Sequence, residues 1–139
     1  MSNETVREAM TASPSSIESD ASAADAARKL ASENVGSLPV VDGDALVGIV
    51  TDRDLVMQVM AKNLDPNKVT MSDVCSANPV VADPEEPVET ALQRMAAEQV
   101  RRLPVVAEGR LVGILTQADV VRTAQSTSTG EMVEKISQE

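Results

Sequence analysis

Apolar residues fall at helical spacing in two stretches of the chain. Ala23, Ala26, Ala27, Leu30 and Ala31 recur at intervals of three and four, which predicts a helix over Ala23–Asn34. Ser22-x-x-Asp25 just ahead of it is a capping-box pattern. Val88, Ala91, Leu92, Met95 and Ala96 form the same stripe. They follow Asp83-Pro84-Glu85-Glu86-Pro87, acidic and proline-bearing as a helix start should be. After each helix come two short apolar runs around a turn signal. Leu38–Val41 and Ala45–Val50 flank Asp42-Gly43-Asp44, and Leu103–Val106 and Arg110–Leu115 flank Glu108-Gly109, so each pair predicts a β-hairpin. Short extended stretches precede the helices, around Ser15–Glu18 and at Val80-Val81. Second helices are predicted from Asp52 to about Lys62 and from Gln117 to about Ala124. The turn cluster Asn63-Leu64-Asp65-Pro66-Asn67 ends the first of these. Gln125–Glu139 reads as a loose tail, with at most a weakly helical Glu131–Ile136.

The order β-α-β-β-α thus occurs twice, at a fixed offset of 65 residues. From Ala12 to Val56 the copies align without a gap and 17 of those 45 positions are identical, so the likeness reflects duplication. Leu38-Pro39-Val40-Val41 recurs as Leu103-Pro104-Val105-Val106, and Leu46-Val47-Gly48-Ile49 recurs as Leu111-Val112-Gly113-Ile114. The expected organisation is a first repeat with linker over residues 1–64, a second repeat over 65–124 and a tail over 125–139. Half-domains of roughly 60 residues are marginal alone because small units bury too little surface, so the twins should pair into one two-fold α/β (α+β) globule. Pro39 and Pro104 suggest a strand edge or the lip of a cleft, and Gly48 and Gly113 suggest close approach of a neighbouring chain or a ligand.

Composition narrows the chemistry. Hydrophobic residues make up 42% of the 139, yet Phe, Tyr and Trp are absent, so the core must be aliphatic. With no histidine and only Cys75, there can be no intramolecular disulfide, no Cys/His zinc cluster and no Ser-His or Cys-His chemistry within one chain. Cys75 aligns with Met10, which favours a packing role. There is no apolar run long enough to span a bilayer, and Met1-Ser2-Asn3-Glu4 does not begin a signal peptide; a cytoplasmic protein is expected. A net charge of −10 argues against general affinity for nucleic acid or an anionic membrane. Only four of the twelve basic residues are lysines; a high-salt cytoplasm or simple solubility accounts for that surface equally well.

One repeated element carries candidate chemistry. Thr51-x-x-Asp54 recurs as Thr116-x-x-Asp119, each time where a strand should give way to a helix. The pattern is a capping box, in which Thr caps the helix and Asp caps back. It is equally a hydroxyl and a carboxylate presented together at a helix start, where a phosphate would meet free N–H groups. The two roles are partly compatible, because Thr can cap and still offer its hydroxyl. Arg53 lies inside the first motif where the second has Ala118, and Arg101-Arg102 stands where the first copy has Gly36-Ser37. Two sites built on these motifs cannot be equivalent, and one should be the better anion site.

The β-α-β-β-α order, the Leu-Pro-Val-Val strand and the Gly-x-x-Thr-x-x-Asp ending together resemble the CBS domain, two of which in tandem form a Bateman module. The resemblance covers roughly residues 5–123. Thr51-Asp52-Arg53-Asp54 followed by Leu64-Asp65-Pro66 is similar to the small stand-alone bacterial and archaeal CBS-pair proteins, the hypoxic-response type among them. The resemblance implies two clefts between the repeats that hold adenosine nucleotides: AMP, ADP or ATP. It implies one cleft with Thr51 and Asp54 together with Ser16, Ile17, Ser37 and Leu38; Arg53, by its place between the paired residues, would neutralise a phosphate there, or else pair with Asp52 or contact a second copy. The other would use Thr116 and Asp119 with Val81, Ala82, Arg102 and Leu103. The Asp would hold the ribose, the Thr would lie near the phosphate, and backbone of the first strand and of the stretch before Leu-Pro-Val would grip the base. With no aromatic ring to stack on, a purine would lie between aliphatic side chains.

The expected function is therefore a non-catalytic sensor that needs no cofactor, forms a homodimer and acts on a protein partner in trans; Val56, Val59 and Met60 on the helix after the first motif are expected to pack, with some of them exposed to pair with a second copy, as the resemblance implies. The alternative is an interaction module with the same fold and vestigial clefts. An enzyme is the weakest expectation, because Asp54 and Asp119 are a whole repeat apart with no histidine between them. S-adenosylmethionine-type ligands, magnesium and nucleic acid are further ligands of such pairs.

Overall fold

The helix stripes and alternating strands form where the patterning places them, and two additional short helices complete the packing. The computed structural model describes residues 4–121. Along it run α1 (Val6–Ala9), β1 (Thr11–Ala12), β2 (Ile17–Glu18), α2 (Ala23–Glu33), β3 (Ser37–Asp42), β4 (Ala45–Thr51), α3 (Asp52–Leu55), α4 (Met71–Val74), β5 (Ser76–Ala77), α5 (Val88–Glu98), β6 (Arg102–Ala107) and β7 (Arg110–Thr116). α3 continues as a wider π-helical turn over Val56–Met60. Residues 117–121 are helical; the rest of that expected helix and the expected tail 125–139 lie outside the described residues. The chain is of mixed α/β class.

The described chain packs as two units. The first comprises residues 15–79 with 108–111; the second comprises 4–14, 80–107 and 112–121. The repeat boundary expected at 64/65 is therefore not where packing divides the chain. Each β-α-β-β core borrows a helix and a strand from the other repeat.

In the first unit, Ser22 caps α2 by accepting the Asp25 N–H at 3.1 Å, and the helix stops at Asn34 in a left-handed conformation. Ala23, Ala26 and Leu30 bury its stripe. β3 and β4 form the expected hairpin, with Gly43 supplying the positive φ of the turn. β2 lies parallel to β3 at Ile17↔Val40. Pro39 falls just before that pairing begins, where its missing N–H costs little. α4 and β5 then close the unit: Met71 and Ser72 N–H groups donate to the Ala21 and Ser19 carbonyls at 3.0 and 2.9 Å. β5 runs antiparallel to β4 at Gly48↔Ala77. The core is Ile17, Ala23, Ala26, Leu30, Leu38, Val40, Val50, Leu55, Val59, Met71 and Val74.

The second unit repeats this plan with α1 and β1. Val6 and Arg7 N–H groups donate to the Glu86 and Pro84 carbonyls at 3.0 and 2.9 Å, and β1 runs antiparallel to β7 at Ala12↔Gly113. Its core is Val6, Ala9, Ala82, Val88, Ala91, Met95, Leu103, Val105, Leu115 and Val120. Pro104 keeps its carbonyl in use, accepting the Ala82 N–H at 2.9 Å.

α1 and α4 had a sequence signal. Thr5-x-x-Glu8 and Thr70-x-x-Asp73 are Thr-x-x-acid patterns at the same offset of 65, and the Glu8 and Asp73 carboxylates accept the Thr5 and Thr70 N–H groups. Both glycines of the repeated hairpin meet a neighbouring chain segment. A Cβ on Gly48 would stand 2.6 Å from the Ser76 carbonyl oxygen and 2.8 Å from Cys75 Sγ. One on Gly113 would collide with Met10 Sδ. Cys75 and Met10 thus occupy matching places against the two cores.

Candidate functional site

All seven residues of the first candidate set lie in the first unit. β4 ends at Thr51, whose Oγ1 accepts the Asp54 N–H at 3.0 Å, while Asp54 Oδ2 accepts the Thr51 N–H at 2.9 Å. Ser37 stands opposite Thr51 in the hairpin register and Leu38 opposite Val50. Ile17 and Leu38 are core residues, exposed by 7% and 2%, so only their backbone can meet a ligand. The Ser16 carbonyl accepts a hydrogen bond from Lys29 Nζ. Arg53 is exposed and has no ion-pair partner among the described residues. Asp54 is half-buried, and its Oδ1 accepts no hydrogen bond among the described residues. That oxygen is not fully buried by the described residues.

The second set lies in the second unit and reproduces the cap. Thr116 Oγ1 accepts the Asp119 N–H at 2.9 Å, and Asp119 Oδ2 accepts the Thr116 N–H at 3.3 Å. Ala82 and Leu103 are core residues exposed by 1% and 0%. The Val81 carbonyl accepts from Arg94 Nη1 at 2.9 Å, and Arg94 also grips both oxygens of Glu86, at 2.7 and 2.8 Å. This paired guanidinium holds the Glu86 carboxyl below its ordinary value. Arg102 begins β6 and is half-buried.

Two contrasts separate the sets. Asp119 is 6% exposed, and the Thr11 hydroxyl donates to its Oδ2 at 3.4 Å; among the described residues Asp54 has no such hydroxyl partner and lies near Cys75 instead. Burial pushes the Cys75 thiol up, and the Asp54 carboxylate adds to the effect. The second contrast corrects an expectation. The start of α3 offers no free first-turn N–H to a phosphate. Asp52 N–H donates to the Gly36 carbonyl at 3.0 Å, Arg53 N–H to Asp52 Oδ1 at 2.7 Å and Asp54 N–H to Thr51 Oγ1. In the second copy Gln117 N–H donates to the Arg101 carbonyl at 3.1 Å and Asp119 N–H to Thr116. Gln117 offers no carboxylate to take the Ala118 N–H.

Lys29, Arg94, Thr11 and Asp52 touch the candidate residues, and sequence reasoning did not single them out. A signal existed for two of them: positions 29 and 94 are cationic in both copies, on the outer side of an otherwise apolar-striped helix. Of the helix residues expected to pack or dimerise, Val59 is in the core, whereas Val56, Met57 and Met60 are exposed by 50%, 48% and 74%. Among the described residues no helix is long and apolar enough to cross a membrane, and no cluster of three or more His, Cys, Asp or Glu side chains could hold a metal ion.

Relatives share this plan. The chain is 36% identical over 119 residues to Hypoxic response protein 1 of Mycobacterium tuberculosis, covering 85% of this chain and 83% of that one. A crystal structure of Hypoxic Response Protein I with two coordinated zinc ions matches with a TM-score of 0.78 and 35% identity, over 86% of this chain and 98% of that chain. CBSX2 in complex with AMP matches at 0.75 and 32%, over 88% and 96%. The CBS domain pair of MJ0100 in complex with 5′-methylthioadenosine and S-adenosyl-L-methionine matches at 0.74 and 29%, over 91% and 100%. The CBS-domain model matches twice, at residues 6–61 and 71–126. With both repeats matched and the fold shared, this chain belongs to the CBS-domain family and carries two CBS domains.

Proposed function

We propose that the protein is a non-catalytic regulatory module that binds an adenosine nucleotide, AMP, ADP or ATP, through one or both residue sets. The observation that carries this reading is the open Oδ1 of Asp54 beside a capping interaction that uses only Oδ2. A ribose presents two adjacent hydroxyl donors, and a carboxylate with a free oxygen is a matching acceptor. Thr51, Ser37 and the backbone of Ser16, Ile17 and Leu38 would line the same place, with Arg53 as a nearby cation. Thr116, Asp119, Arg102 and the backbone of Val81, Ala82 and Leu103 would serve in the second set. The AMP held by CBSX2 and the adenosyl ligands held by the MJ0100 pair support the ligand class.

Equilibrium dialysis read at 260 nm tests this directly, because a chain without Trp, Tyr or Phe barely absorbs there. Charge-assisted hydrogen bonds contribute about 1.5–3 kcal/mol. Replacing Asp54 and Asp119 together by Asn should therefore weaken nucleotide binding roughly ten- to hundredfold. Unchanged affinity in a folded double variant would refute the assignment.

A second reading has its own support. Val56, Met57, Met60 and Leu64 expose apolar surface on and just after the α3 helix, which suits a homodimer contact or a protein partner. The enclosed state of Asp119 favours a second site that is vestigial. Titration showing no bound nucleotide on ligand-free, folded protein would select this reading.

A further inference from the structure

We infer that Lys29 and Arg94 are positioning residues for the proposed ligand sites: each fixes the carbonyl at a strand entry, that of Ser16 or Val81, where the ligand would meet backbone. The inference rests on the nucleotide reading above and adds the residues that hold its backbone contacts in place. Ala82 donates its N–H to the Pro104 carbonyl and accepts the Val106 N–H, so both its polar groups face β6. Successive carbonyls of an extended chain point to opposite sides, which turns the Val81 carbonyl away from β6 to the open side of the strand. Ser16 stands at the same point, one residue before the Ile17↔Val40 pairing, and β2 lies at the end of the sheet. Such an edge offers its backbone groups to whatever binds there. In each copy the cation 13 residues further on holds this carbonyl. A carbonyl has two lone pairs, so the held group still accepts a ligand donor.

The two cations are braced differently, and both braces secure the same backbone. Lys29 and Glu33 are four residues apart on α2, a spacing at which opposite charges ordinarily pair. No ion pair joins them among the described residues. Glu33 instead accepts the Ser15 hydroxyl at 2.7 Å while Lys29 donates to the Ser16 carbonyl, so one helical turn staples two successive residues ahead of β2. Val80, the counterpart of Ser15, has no hydroxyl. There Glu86 locks Arg94, and the same Oε2 that takes Arg94 Nη1 also accepts the Asp83 N–H at 2.8 Å. A Lys and an Arg thus make one contact with different supports, which identifies the carbonyl contact itself as what both copies keep. Core burial does not require it, because the helices bury their stripes through Ala23, Ala26 and Leu30 and through Val88, Ala91 and Met95. Holding the carbonyl in advance removes an ordering cost that a ligand would otherwise meet on binding.

Equilibrium dialysis of the full chain with AMP tests this, with the first set read in an Asp119→Asn background and the second in an Asp54→Asn background. Lys29→Met should weaken AMP binding about fivefold, the worth of one hydrogen bond, and the loss should persist in about 0.5 M salt, where a screened attraction for phosphate is gone. Lys29→Arg installs the residue of the other copy and should restore most of the affinity. Arg94→Met and Arg94→Lys should behave in the same way in the second set. Circular dichroism checks that every variant is folded, and if one background binds no AMP, the cation of the other set decides. Unchanged affinity in the folded Met variant of a binding set overturns the inference, because a cation that serves stability alone leaves ligand binding intact. A loss that vanishes at high salt overturns it too, since the cation would then act on the phosphate, as does a loss that the exchanged cation fails to restore. If AMP does not bind the wild type, or Asp54→Asn and Asp119→Asn together leave its binding unchanged, the nucleotide reading fails and takes the inference with it.

Discussion

The two Thr-x-x-Asp motifs have identical residues and nearly identical caps, yet one carboxylate is open and the other enclosed. Among the described residues Asp54 Oδ1 accepts no hydrogen bond, whereas Asp119 is buried and takes the Thr11 hydroxyl. At the helix start the first copy carries the Asp52 carboxylate and the second a neutral Gln117 with Arg101 and Arg102 nearby. Duplication has preserved the backbone device, and divergence has acted on the residues around it. A repeated motif therefore identifies a shared scaffold, and what each copy binds has to be read from its neighbours.

The largest effect should come from testing which unit owns the borrowed helix. Met71 lies in the second repeat by sequence but is fully buried in the core of the first unit. Met71→Ala should cost about 3 kcal/mol through lost burial and the cavity left behind. Native-state hydrogen exchange should show protection lost in residues 15–79. Val6 is its counterpart in the second unit; Val6→Ala removes fewer atoms and should cost about half as much, with the loss in residues 80–107. Loss of protection in the sequence repeat that contains each residue, instead of in the unit it packs into, would contradict the borrowed-segment arrangement.

A smaller effect separates the paired glycines. A Cβ on Gly48 would press on the Ser76 carbonyl oxygen, a backbone atom that can move only with β5. On Gly113 it first meets the Met10 thioether, which can change rotamer, and then the Thr11 carbonyl at 3.0 Å. Gly48→Ala should therefore destabilise by about 2 kcal/mol and Gly113→Ala by about 1 kcal/mol or less, as measured by urea unfolding. Equal costs would mean that β5 and β1 yield alike, and the two units would differ less than their neighbours suggest.

Much of this fold was legible because its signals are local. The α2 and α5 stripes, the two hairpins and the capping boxes depend on residues a few positions apart, and Ser22, Thr51 and Thr116 cap as their patterns predict. Offset alignment likewise paired Cys75 with Met10, which pack in matching places. What the sequence did not disclose depends on chain crossing between repeats: that Met71 and Val74 complete the first core, or that Thr11 reaches Asp119 across 108 residues. The first-turn N–H groups of α3 were another such case. Asp52 saturates one of them through its own side chain, a contact that motif spacing does not encode. The sites' chemistry was readable as residue types, but their accessibility was a property of packing.

The smallest predicted difference concerns the cations at positions 29 and 94, which hold matching carbonyls with unequal strength. Lys29 reaches only the Ser16 carbonyl, whereas Arg94 holds the Val81 carbonyl and both oxygens of Glu86. Arg94 and Glu86 side chains are 32% and 14% exposed, so the pair is partly shielded from solvent. Arg94→Met should cost about 1.5 kcal/mol at neutral pH, since it leaves Glu86 without its partner, and Lys29→Met should cost less than about 1 kcal/mol. The two variants should also differ in acid. Arg94 lowers the folded-state value of Glu86 below the ordinary 4.5, so the stabilisation is complete above that unfolded value and is lost as pH falls through the lowered one. The excess cost of Arg94→Met over Lys29→Met should accordingly be constant from neutral pH down to about 5 and shrink below 4.5. Urea unfolding followed by circular dichroism across that range measures it. A difference that persists undiminished in acid would mean that Arg94 acts through the Val81 carbonyl alone, which would make its role the same as that of Lys29.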